Sequence, residues 1–101
     1  MSGRSRFKFR LYVAGDAANS TLAVANLNAI CRTYLPNRHE IEIVDAFRES
    51  KRALADGIFL TPTLLKLAPS PQRRIIGTLS QTQPILHALG LETGALLPVA
   101  S

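Results

Sequence analysis

The side chains able to make or break bonds are few in this sequence, and their spacing limits what each can do. Cys31 is the one thiol, so the chain has no internal disulfide and no Cys-x-x-Cys pair for thiol exchange. It falls on the apolar face of a predicted helix, with no histidine or acid placed by any motif to activate it, and reads as a small core residue. His39 and His87 are the only histidines, too few beside one cysteine to close a structural zinc site. His39 lies in a predicted turn and His87 on the last predicted helix, where both default to packing or solvation. Asp16 and Asp45 end two neighbouring predicted strands, a place where α/β proteins set binding groups, and two carboxylates there could hold a cation. Asp also solvates loops and caps turns, and that is the reading adopted for both. There is no Gly-rich phosphate loop and no nucleophile elbow. The sequence predicts no enzyme, no cofactor and no metal.

Charge is the other chemistry on offer. The 101 residues carry 12 Lys and Arg against 7 Asp and Glu, a net charge of +5. Four of the bases (Arg4, Arg6, Lys8, Arg10) fall in the first ten residues, with no acid among them. Such an arm can bind nucleic acid, but from Arg6 onward the bases alternate with Phe7, Phe9 and Leu11. Alternation at period two belongs to a half-buried strand with its bases on the wet face. Clustered aromatics for base stacking are missing, so no nucleic-acid partner is expected. No apolar run approaches the ~20 residues of a membrane helix, and the basic N-terminus is not followed by a signal-peptide core. The expectation is one small soluble domain, cytoplasmic, with no membrane partner.

The elements that must position these residues follow from periodicity. Residues 7–13 form a first strand, ended by Ala14-Gly15-Asp16. Asn19 or Ser20 then caps a helix whose apolar positions are Ala23, Val24, Leu27, Ile30, Cys31 and Tyr34, one face packed on a sheet. Pro36-Asn37 ends it. Residues 40–45 are a second strand. Strand, helix and strand within about 40 residues make a βαβ unit with parallel strands and a right-handed crossover. The second half is less regular. Residues 49–56 have helical composition, with Gly57 as their stop. Residues 60–67 read as an edge strand, because Pro62 has no amide hydrogen for a ladder. Pro69 and Pro71 mark a turn, and residues 73–77 read as a short strand. Ser80 caps a last helix over 82–89, with Pro84 in its first turn and Gly90 at its end. Residues 1–6 are then a basic arm and 92–101 a loose tail around one domain at 7–91.

The order β-α-β-(α)-β-β-α is that of a thioredoxin-like α/β domain. In that fold a proline preceded by Thr or a similar residue opens the third strand, opposite the active-site loop. Thr61-Pro62 has that placement, and a cis bond there fits a tight backbone feature. The redox centre is missing: where a thioredoxin carries Cys-x-x-Cys at a helix N-terminus, this chain has Asp16-Ala17-Ala18-Asn19-Ser20.

The segments Leu11-Tyr-Val-Ala-Gly15, Asn19-Ser20, Thr61-Pro-Thr-Leu64 and Arg74-Ile-Ile-Gly77 with Leu79-Ser80 run collinearly and together resemble the KaiB family of the cyanobacterial circadian clock and related bacterial systems. The resemblance implies an adaptor rather than an enzyme. It would bind the N-terminal ATPase ring of a hexameric KaiC-like protein and modulate its phosphorylation cycle, capturing a KaiA-like protein and displacing a SasA-like kinase. SasA itself has a related thioredoxin-like sensor domain. The resemblance also implies two folds of one sequence: a resting tetramer with a differently arranged second half, and a thioredoxin-like monomer that binds the ring. Self-association as a dimer or tetramer is thus an expectation. The family's basic ring-binding positions fall on Lys66, Arg73 and Arg74. Gly15, Asn19 and Ser20 match the loop after the first strand, and Thr61, Pro62 and Thr63 set backbone geometry. Gly77, Leu79 and Ser80, with Ala88, belong to the switching half. The alternative is a stand-alone thioredoxin-like sensor or scaffold for a signalling kinase.

Four departures stand out. The family's Gly-Asp-Leu-Ser is Gly77-Thr78-Leu79-Ser80, an Arg common early in the first helix is Leu22, and the acidic tail is replaced by Leu96-Leu-Pro-Val-Ala-Ser101. Where several clock members have Gly, this chain has Ala88. Ala gains up to ~1 kcal/mol over Gly inside a helix, so the thioredoxin-like arrangement, helical over 82–89, is expected to be favoured.

Overall fold

Strand β1 (Phe7–Val13) buries one face entirely and the other in part in the computed structural model of the chain, which describes residues 6–91. Phe7, Phe9, Leu11 and Val13 go to one side and Tyr12 to the other. One face is wholly apolar, and the other passes from exposed Lys8 through half-buried Arg10 to buried Tyr12, so β1 is covered on both sides toward its C-terminal end and lies in the interior of the sheet. The order is β2-β1-β3-β4. β2 (His39–Asp45) runs parallel to β1, from Phe7 opposite His39 to Val13 opposite Asp45. β3 (Thr63–Ala68) lies antiparallel on the other side of β1, and β4 (Arg73–Ile76) antiparallel to β3.

Two cores follow from the two faces. Helix α1 (Ala18–Tyr34) and helix α3 (Thr82–Ala88) cover one face: Ala23, Leu27, Ile30 and Cys31 meet Ile85, Leu86 and Leu89 over the odd-numbered residues of β1. The apolar positions of α1 are those its periodicity predicts. Helix α2 (Ser50–Ala55) covers the other face, where Ala53 and Ile58 pack on Tyr12, Val44 and Leu65. The architecture is the expected thioredoxin-like α/β one. The segment around Ala88 is helical, and Thr61-Pro62 is cis.

Several local expectations are overturned. The chain over 60–67 is not an edge strand: pairing begins at Thr63, after Pro62, so the missing amide hydrogen costs no ladder bond and β3 is free to lie inside the sheet. Pro62 instead offers its carbonyl to the Gly77 amide at 3.0 Å. Neither Asn19 nor Ser20 caps α1. The helix starts earlier, with Ala17 at the N-cap, because two alanines continue the turn made by Gly15 at φ 56. Ser20 then falls inside the first turn, buried, and its Oγ accepts the Ala14 amide at 2.9 Å, pinning the loop from the helix side. Ser80 does not cap α3 either. Gln81 holds that position, and the Ser80 hydroxyl pairs with Thr78 Oγ1 at 2.7 Å. The basic face of β1 is wet only at Arg6 and Lys8, since Arg10 lies half-buried beneath α2. Of the arm at 1–6, only Arg6 is among the described residues, paired with Glu40 at 3.0 Å; the tail at 92–101 lies outside them.

A polar network holds α2 on the sheet. One Asp56 carboxylate oxygen, just past the helix end, accepts the Tyr12 hydroxyl at 2.6 Å and Arg10 Nη1 at 2.9 Å. Arg10 Nε reaches Glu42 at 2.9 Å, and the other Glu42 oxygen takes Arg52 Nη2 at 2.7 Å. β1, β2 and α2 are thereby joined by a chain of charge-assisted bonds. The Tyr12 hydroxyl, and after it Arg10, holds the Asp56 carboxyl below its ordinary range; Arg10 and Arg52 do the same for Glu42. Groups that titrate lower when folded stabilise the fold fully above the unfolded carboxylate range of about 4, and lose that contribution as pH falls through the depressed values. Denaturant melts between pH 7 and pH 2 are expected to show a shallower acid loss for Asp56→Asn and Glu42→Gln than for the parent chain. Tyr12→Phe should cost about 1–3 kcal/mol at pH 7, since it removes a buried donor to a carboxylate. Equal acid slopes in all three proteins would contradict the network.

Candidate partner-binding surface

The three bases expected at a partner-binding surface part company in the structure. Arg73 and Arg74 are neighbours on the outer strand β4, and both are exposed. The sheet alternation sends them to opposite faces, Arg74 opposite Leu65 and Arg73 opposite Lys66. Arg74 lies over the C-terminal end of α2, where its guanidinium donates to the Gly57 carbonyl at 2.8 Å and the Asp56 carbonyl at 2.6 Å. Among the described residues Arg73 makes only a long bond, 3.4 Å, to the carbonyl of its neighbour Gln72. Lys66 is 3% exposed and does not present its charge outward. Its ammonium donates to the Leu89 carbonyl at 3.3 Å and lies 5.6 Å from the centre of the Phe7 ring. Burial, and then the nearby charge of Arg73, pull its pKa below the ordinary lysine value.

Beside Arg74 begins an apolar surface that the sequence reading passed over. Phe47, Leu54, Phe59 and Leu60 are 78%, 68%, 84% and 59% exposed, and they border one groove floored by Ala53 and Ile58. Local structure fixes each of them. Asp45 Oδ1 accepts the Phe47 amide at 2.9 Å, a turn that lifts Phe47 off the end of β2. Asp45 is thus the capping residue expected, and Asp16 lies exposed on the loop after β1. Ala53 faces the core, so Leu54, about 100° further round the helix, faces out. Gly57 at φ 70 ends α2 and turns the chain toward Phe59. The Thr63 hydroxyl donates to the Leu60 carbonyl at 2.6 Å, holding the entry to β3. The available signal was phase: these four side chains stand in loops or on the outward side of a short helix, yet are too apolar for that place.

The remaining predicted positions set backbone shape. Gly15, Asn19 and Ser20 form the turn and first helical turn described above. Thr61, Pro62 and Thr63 lead into β3. Gly77, at φ 122, and Leu79, at φ 63, bend the chain from β4 into α3. A bulky residue in the left-handed region costs of order 1–3 kcal/mol; at Leu79 this is offset by a side chain buried in the α1–α3 core. Asn26 of α1 secures the bend by donating to the Thr78 carbonyl at 2.8 Å. Ala88 is the last residue of α3, half-buried. Cys31 is buried, and burial raises its thiol to about 11, so it stays protonated at neutral pH. His39 opens β2 with Nδ1 2.7 Å from the Leu35 carbonyl, and His87 is exposed on α3. No helix among the described residues is long and apolar enough to cross a membrane.

Comparison with known proteins agrees with this arrangement. The KaiB domain model matches residues 10–91. The circadian clock protein KaiB3 of Synechocystis sp. (strain ATCC 27184 / PCC 6803 / Kazusa) is 40% identical over 88 residues, 87% of this chain and 84% of that protein. The circadian clock oscillator protein KaiB of Synechococcus elongatus is 38% identical over 96 residues, 95% of this chain and 94% of its own length. Among solved structures, the N-terminal domain of Synechococcus elongatus SasA superposes with a TM-score of 0.69 at 13% identity, over 100% of this chain and 94% of that one. Chloroplastic thioredoxin z gives 0.71 at 18% identity, over 90% and 82%. The structural likenesses speak to the fold. The sequence likenesses go further: this chain belongs to the KaiB family, whose matched relatives are circadian clock proteins, and it carries that family's sequence on a thioredoxin-like fold.

Proposed function

We propose that this chain is a non-catalytic cytoplasmic adaptor that binds a KaiC-type hexameric ATPase ring and modulates its phosphorylation cycle, with KaiA-like or SasA-like proteins as further partners. The observation that carries the reading is the family match over residues 10–91. The surface supports it. Phe47, Leu54, Phe59 and Leu60 form an apolar area that water does not favour and a partner can cover. Arg73, exposed on the outer strand, steers an acidic partner and fixes its register, while the apolar anchors supply most of the affinity.

The test is binding of the purified chain to a KaiC-type ring, with and without ATP, followed by light scattering or a pull-down. Phe59→Ser removes an anchor and should weaken binding by about thirtyfold or more. Arg73→Glu should weaken it by about tenfold and flatten its dependence on salt, because the charge acts mainly on approach. Both variants should melt like the parent, since both residues are exposed. Unchanged affinity in both, or no binding to any KaiC-type ring, would reject the proposal, as would turnover of a substrate by the purified chain.

A further inference from the structure

The two bases that flank Arg73 in the β3–β4 hairpin are both engaged with the ends of helices. Arg74 spans the two carbonyls just past the end of α2, at Asp56 and Gly57, with bonds of 2.6 and 2.8 Å. Lys66, on the opposite face of the sheet, reaches the Leu89 carbonyl at the end of α3 at 3.3 Å. These two helices are the ones that need holding. α2 spans Ser50–Ala55 and α3 Thr82–Ala88, lengths at which an isolated helix does not persist in water. Neither makes a side-chain capping bond at its N-terminus or carries an acid in its first turn, although Glu49 holds the N-cap position of α2. The carbonyls at a C-terminus carry the negative end, where a cation that also donates hydrogen bonds is favoured.

We infer that Lys66 and Arg74 are internal clamps, each locking the C-terminal end of one short helix to the hairpin, and that Arg73 is the base of the three left to meet a partner. The clamps are independent of what the partner is; only the assignment of Arg73 rests on the ring-binding reading. The sheet alternation makes the arrangement possible: Lys66 shares a face with its cross-strand partner Arg73, and Arg74, the next residue along β4, points to the other face, so Lys66 and Arg74 serve opposite helices. It also gives Lys66, whose ammonium meets a carbonyl and an aromatic ring among the described residues, a reason to be buried.

Amide hydrogen exchange on the full chain tests the clamps. Arg74→Ala should speed exchange of the Asp56, Gly57 and Ile58 amides, which close the end of α2, by about five- to tenfold while leaving α3 unchanged. Lys66→Met, which keeps the buried stem and removes the charge, should do the converse, speeding the Gly90 and Leu91 amides and sparing α2. Arg73→Glu should move neither set. Exchange that stays unchanged at a variant's own helix, or rises equally throughout the molecule, overturns the inference. Ring binding provides the second arm. Arg73→Glu should alter the salt dependence of association and Lys66→Met should not, and a reversed pattern overturns the assignment of Arg73. If no ring binds, the exchange arm still decides the clamps.

Discussion

The carboxylate and carbonyl of Asp56 are where the sheet takes hold of its second helix. The side chain is bound from below by Tyr12 and Arg10 of the central strand, and the backbone carbonyl is bound from the side by Arg74 of the outer strand. Two different strands therefore fix one residue, which sits between the helix that carries Leu54 and the turn that carries Phe59. Hydrogen bonds to charged groups are each worth about 1.5–3 kcal/mol when shielded. α2 is six residues long, so its position has to come from such tertiary contacts. The apolar surface beside it inherits its shape from this one junction.

α3 is built on the same logic with different parts. Its apolar face, through Ile85 and Leu86, is buried against α1, and its end is met by Lys66. Its beginning is reached through Gly77 and Leu79, both at positive φ, with Asn26 tying the bend to α1. The long helix α1 thus serves as the reference for the bend and the hairpin as the reference for the helix end. The N-terminal half of the chain is held mainly by burial, from Phe7 through Leu35. The C-terminal half depends more on a few polar contacts at the ends of short elements. Stability of this kind is local, and such elements open more readily than a core strand.

The same division explains what could be read from the sequence. β1, α1 and β2 announce themselves because a period of two and a period of 3.6 persist long enough to be seen, and the parallel βαβ unit follows from them. The central position of β3 was hidden by Pro62, which sits one residue before the ladder rather than within it. The helix caps were hidden because Ser20 and Ser80 have the right side chains, but alanines or an extended glutamine take the capping position first. Lys66 was legible in part: it shares parity with Leu64 on β3, which marks the inward face, yet its charge argued for water. The exposed groove was not legible from type, since nothing in the residue types of Phe47 and Phe59 marks them as exposed; the turns that hold them outward do.

The apolar surface proposed to meet a partner is small. Two phenylalanines about four-fifths exposed and two leucines about three-fifths exposed amount to something on the order of 500 Å² of apolar area. That falls short of the roughly 800 Å² that each partner contributes to a standard stable interface. Polar contacts at the rim must supply the rest of the area, and they contribute more to the rate of encounter and to register than to residence time. Arg73 is the base proposed for that role, because among the described residues its guanidinium makes one long bond, whereas the charges of Arg10, Arg52 and Lys66 are already taken up by the fold. The outer strand thus commits Arg74 to the end of α2 and leaves Arg73 exposed on the opposite face of the sheet, while the apolar groove keeps its shape only as long as α2 stays where Asp56 fixes it.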